Sequence, residues 1–84
     1  MSEMTENLVS LKRLCDDASG IVQRIDLTAA TKRRLIEMGL TPGTKVRVLK
    51  RAPMGDPIEI LLRGYSLTMR GSDAERIYVA EVDA

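Results

Sequence analysis

Residues Arg51 to Arg70 read RAPMGDPIEILLRGYSLTMR, and the fold turns on whether this stretch is a chemical loop or a set of paired strands. Ile58, Ile60 and Leu62 fall on one side of an extended chain, opposite Glu59 and Arg63. Leu67 and Met69 alternate in the same way with Ser66, Thr68 and Arg70. A period of two marks strands with one buried face. The residues between them are turn formers. Pro53 and Gly55 suit positions i+1 and i+3 of a type I turn, and Pro57 pushes Asp56 toward an extended shape. Pro57 is tolerated as the first residue of a strand. Gly64 fits the first central position of a type II′ hairpin turn. The stretch is therefore a strand–loop–strand–turn–strand meander. It is not a phosphate loop, which needs amide donors at a helix start; this loop runs from strand to strand and its prolines delete donors.

The same period extends outward. In KVRVLKR, Val46 and Val48 oppose Lys45 and Arg47; in IYVAEV, Ile77 and Val79 oppose Tyr78 and Ala80. Gly20 and the β-branched residues after it predict a strand from Ile21 to Ile25. Ser72 and Glu75 have capping-box spacing for one short turn before the last strand. A single helix is expected over TAATKRRLIEMG, near residues 28–39. Thr28 is its N-cap, and Thr31, Leu35, Ile36 and Met38 form its apolar arc, opposite Arg33, Arg34 and Glu37. Gly39 is a left-handed terminator that lets Leu40 pack back on Leu35. Leu8, Leu11 and Leu14 recur at helical spacing and predict a turn or two packed on the core. The expected fold is mainly β with one helix: a small antiparallel barrel of about five strands, which leaves few free edges.

The chain has 84 residues, enough for one small domain. That domain is expected over residues 9–84, after a polar, flexible start at 1–8. Tyr65 and Tyr78 are the only aromatics, so the core must be built from Leu, Ile, Val and Met. Net charge is +1 but unevenly spread. From Arg24 to Arg51 basic residues dominate and the two ends are acidic, an asymmetry able to steer an acidic partner. No apolar run is long enough to span a bilayer, so membrane insertion is not expected. The lone Cys15 and the lack of a basic, then apolar leader fit a reducing, cytoplasmic setting.

Histidine is absent, which rules out a conventional nucleophile–histidine triad. Structural zinc needs four nitrogen or sulfur ligands, more than this chain supplies, and Asp56, Glu59, Asp73 and Glu75 lack calcium-loop spacing. No catalytic residue, metal ligand or cofactor is expected. Nucleic-acid binding by small barrels stacks bases on aromatics along a basic groove; with two tyrosines that reading is an alternative and is not the expectation. A binding module remains. Met54, at a loop tip, either faces a partner or folds back over the end of the barrel. Arg33 and Arg34 offer a basic helix face.

The segment from Arg34 to Val79 closely resembles the FeoA family of bacterial ferrous-iron uptake, and also the SH3-like C-terminal domain of iron- and manganese-dependent repressors. The marks are Leu35, Met38-Gly39-Leu40, Pro42-Gly43, Ala52-Pro53, Gly55-Asp56-Pro57, Gly64, Leu67, Arg70, and Ala74 with Ile77. The resemblance implies an SH3-like barrel and a non-catalytic role in iron transport. It implies a partner too: FeoB, the membrane iron transporter with a cytosolic G-protein domain. On that reading the partner-binding candidates are Arg33, Arg34, Arg51, Pro53, Met54, Gly55, Asp56 and Arg70. A sharper form has Arg51 or Arg70 reach a nucleotide in the partner, as an arginine finger does. The alternative function is a nucleic-acid-binding or transcription-regulatory small barrel. Weak self-association, through a strand edge or Cys15, is a further alternative.

Overall fold

Alternating apolar residues on neighbouring segments force pairing, and the computed structural model, which describes residues 8–51 and 53–82, shows the sheet that results. Its strands are β1 (Leu8–Ser10), β2 (Ser19–Ile25), β3 (Lys45–Arg51), β4 (Ile58–Leu62), β5 (Tyr65–Met69) and β6 (Ile77–Val82). Helix α1 (Ala29–Glu37) links β2 to β3, a four-residue helix α2 (Gly71–Ala74) links β5 to β6, and a 3₁₀ turn (Leu11–Arg13) follows β1. All pairings are antiparallel, in the order β1-β6-β2-β3-β4-β5.

The mainly β, antiparallel architecture is as expected, with two corrections. Among the described residues there are six strands where about five were expected, and the sheet they form is open: β1 and β5 are its edges and do not pair with each other. The extra strand comes from the leucine-rich lead. Leu8 shares helical spacing with Leu11 and Leu14, but Leu8 to Ser10 runs extended against Ala80, Val79 and Tyr78. Only then does the chain tighten into the turn that buries Leu11 and Leu14.

The core holds the residues that alternation selects. Val46, Val48, Ile58, Ile60, Leu62, Ile77 and Val79 are all buried, with Val22, Leu11, Leu14, Leu40 and Met69. Helix α1 starts as expected: the Thr28 hydroxyl oxygen accepts from the Thr31 amide at 3.3 Å. It ends in a Schellman motif. The Leu40 amide donates to the Leu35 carbonyl at 2.9 Å and the Gly39 amide to that of Ile36 at 3.0 Å, with Gly39 at φ 102°. The helix wheel overstates the buried arc. Only Leu35 of α1 is buried, while Ile36 and Met38 stay 38% and 39% exposed.

Two local expectations move. The β4–β5 hairpin pairs Leu62 with Tyr65, so its central residues are Arg63 and Gly64, one position earlier than expected. Their φ values are 52° and 90°. Positive φ at both is the mark of a type I′ turn, which prefers Asn-Gly. An arginine held left-handed costs roughly 1 kcal/mol. Arg63→Asn should therefore raise stability by about 0.5–1 kcal/mol, which thermal unfolding would register as a gain of about 3–6 °C in Tm.

The capping box at Ser72 and Glu75 does not form. Helix α2 begins at Gly71, its N-cap is Arg70, and Arg70 makes no side-chain cap bond. The donor at the helix start is satisfied from elsewhere: the Gly71 amide donates to Oδ1 of Asp56. A carboxylate brought in by the β3–β4 loop takes the place of the local hydroxyl.

Candidate functional site

The β3–β4 loop carries most of the sequence-derived candidates. Met54 is 92% exposed, so it projects into solvent and does not fold back over the sheet. Pro53 is exposed beside it and Gly55 is half-buried, with Gly55 at φ 86°. The Asp56–Pro57 peptide is cis. Asp56 is turned toward Gly71, and its role is to anchor the loop and cap α2. Asp56→Ala should cost about 1 kcal/mol, within the usual range for a lost helix cap, and denaturant titration would measure it.

That same hydrogen bond places the loop next to Arg70, the residue before Gly71. Arg70 in turn lines a groove of about 260 Å³ between α1 and the free edge of β5, together with Arg34, Met38, Leu67, Thr68 and Asp73. Two candidates that lie far apart in sequence, Arg34 and Arg70, thus share one groove. Arg33 is exposed on α1 but is not among the groove residues. The side chain of Arg51 lies outside the described residues, as does Ala52.

Sequence reasoning missed part of this surface. Ile36 and Met38, assigned to the core, are exposed, and so is Tyr65 at 45%. The Tyr65 hydroxyl lies so close to Gly39 that a Cβ there would sit 2.6 Å from it, which places the ring at the C-terminal end of α1. No sequence signal separates these residues from core, because a wheel counts apolar positions without knowing how much of a helix is covered. Met38 and Leu67 in the groove, with Tyr65 at the end of α1, put apolar side chains beside two arginines, with Met54 projecting from the adjoining loop.

The arrangement suits binding. Among the described residues, Arg33, Arg34 and Arg70 make no ion pair, so their charge is available to a partner. Among the same residues, no group of three or more His, Cys, Asp and Glu could hold a metal ion, and no helix is long and apolar enough to cross a membrane. Cys15 is free and exposed.

A sequence model of the FeoA domain matches residues 9–81. The chain belongs to the FeoA domain family. A curated relative from Porphyromonas gingivalis, a fusion of Fe(2+) transport protein A with the Fe(2+) transporter FeoB, is 28% identical over 69 residues. The match covers 82% of this chain but only 8% of that protein's length. Among solved structures, the FeoA protein of Chlorobium tepidum superposes with a TM-score of 0.86 at 39% identity, over 89% of this chain and 71% of that one. The zinc complex of Stenotrophomonas maltophilia FeoA, a prokaryotic SH3 domain protein, gives 0.75 at 30% identity, over 88% and 95% of the two chains. The expected SH3-like fold is thereby matched. The IdeR protein of T. acidophilum shares the fold alone: TM-score 0.80 at 22% identity, over 94% of this chain and 36% of that one.

Proposed function

We propose that this FeoA-family chain is a non-catalytic accessory protein of bacterial ferrous-iron uptake that docks on the cytosolic part of a FeoB-type transporter. The observation that carries the reading is the curated relative in which a FeoA domain and a FeoB transporter form one polypeptide. Joining two modules raises their local concentration to the millimolar range, which is useful only if they meet. The docking surface is the Met54 loop with the groove that holds Arg34 and Arg70. An exposed methionine supplies adaptable apolar contact, and the arginines supply charge that makes no ion pair among the described residues. Docking would tune transport by binding one conformation of the transporter better than another.

The test is calorimetric titration of this chain with the isolated cytosolic part of a FeoB-type transporter. Saturable one-to-one binding is expected, weakened by an Arg34→Glu/Arg70→Glu pair. Absence of heat and of co-elution would reject the proposal. In the same experiment GTP hydrolysis by the partner reports on the arginine-finger form. A rise that Arg70→Ala or Arg51→Ala abolishes would support it, and unchanged hydrolysis would leave docking without catalysis.

A further inference from the structure

The outer face of the sheet carries a hollow of about 480 Å³, away from the Met54 loop and formed over β2, β3 and β4. Ser19, Arg47 and Leu61 stand in one row across these strands by register. Lys45 and Arg63 line the hollow beside them. Its volume is in the range of ligand sites, its lining includes the half-buried Leu61, and its charged residues are three cations beside Ser19 and Thr44. Among the described residues only one acid pairs with them: Asp17 approaches Arg47 at 3.4 Å. Those two side chains are 73% and 49% exposed, an arrangement that contributes little to stability and exchanges easily. Neither Lys45 nor Arg63 has an ion-pair partner among the described residues.

A second observation falls on the same spot. Among the described residues, just two non-glycine positions have positive φ, Asp17 at 70° and Arg63 at 52°. One is the acid bound to Arg47; the other is a cation of the hollow. Aspartate tolerates left-handed backbone, but an arginine there is strained, and such strain concentrates where a side chain is needed in place. At the I′ turn, asparagine would be the relaxed choice. Arg63 is held there against local preference, in the same hollow that Lys45 lines.

We propose that this hollow docks an acidic segment of a protein partner, with Lys45 and Arg63 taking its carboxylates and Arg47 exchanging Asp17 for one of them. Asp17 is then an internal stand-in for the incoming group. A protein segment fits better than a single-stranded nucleic acid, because no aromatic lines the hollow on which a base would stack. Leu61 offers contact to the segment's apolar atoms. This site is independent of the Met54 surface and would stand if docking there failed.

The experiment is titration of the isotope-labelled full chain with a peptide of alternating glutamate and serine, followed by amide NMR shifts. The expected result is saturable shifts concentrated around Lys45, Arg47 and Arg63, lost with a glutamine-for-glutamate control peptide. Arg63→Asn should weaken binding about tenfold while raising Tm, and Lys45→Gln should weaken it with Tm unchanged. Asp17→Asn should strengthen it about two- to fivefold, as the internal competitor is removed. Unchanged affinity in Arg63→Asn, or an Asp17→Asn variant that binds no better, would overturn the proposal. So would stronger shifts from inorganic phosphate, a single-stranded oligonucleotide or phosphatidylserine vesicles than from the peptide.

Discussion

Gly20→Val is expected to leave most of the chain unfolded at 37 °C, and Gly20→Ala to lower stability by about 2–3 kcal/mol. Gly20 lies on the buried face of β2, paired with Val46 on one side and Glu81 on the other. A Cβ there would stand 2.7 Å from Cγ2 of Val79, 3.0 Å from its Cβ and 3.3 Å from the carbonyl oxygen of Ala80. Val79 is fully buried and cannot swing aside. Replacing a strand glycine ordinarily gains about 0.5–1 kcal/mol from reduced chain entropy. Here overpacking, worth about 1–3 kcal/mol and occasionally more, opposes that gain and exceeds it. A domain of this size has a margin of about 3–5 kcal/mol, so two further carbons exceed it. Urea unfolding of the alanine variant, alone and with Val79→Ala, separates the clash from other causes. The second substitution should return part of the loss, as contacting sites couple. A fully additive pair would show that the contact is not responsible.

Met54→Asp is expected to reduce affinity for the transporter's cytosolic part by about 100-fold with no change in Tm. Met54 is 92% exposed, so the fold loses no buried contact. In a complex, burial of a methionine side chain contributes about 1.5–3 kcal/mol, and a carboxylate in its place must also be desolvated. The first effect alone is worth one to two powers of ten in Kd. Surface plasmon resonance with both proteins would read it, mainly as faster dissociation. Equal Kd values for the two forms would remove the loop from the interface and leave the groove at Arg34 and Arg70 to account for docking.

The strands were legible because alternation reports a buried face directly. Val46 and Val48, Ile58, Ile60 and Leu62, and Ile77 with Val79 are all in the core. The ends of α1 were legible too, since Thr28 and Gly39 act within a few residues of themselves. What the chain hides is anything set at long range. Asp56 caps α2 across fifteen positions, and no spacing rule reaches that far. Strand β1 is three residues long, too short for alternation to declare itself, and Leu8 fell into a helical spacing by accident. The hairpin slipped by one position because Arg63 accepts a left-handed backbone that composition assigns to glycine. For the site, the exposure of the Met54 tip was foreseen as one of two outcomes. The meeting of Arg34 with Arg70 was not, since it depends on how α1 lies along β5.

The strand order has a consequence for attachment. The chain enters at Leu8, opposite Ala80, and the last strand leaves at Val82 two residues on. Both ends therefore emerge side by side at the β1–β6 rim, while β5 forms the far rim with α1 beside it. On the proposed docking reading, a module joined at the β1–β6 rim would leave the surface at β5 and α1 clear, whether the domain is a separate piece or on a short leash.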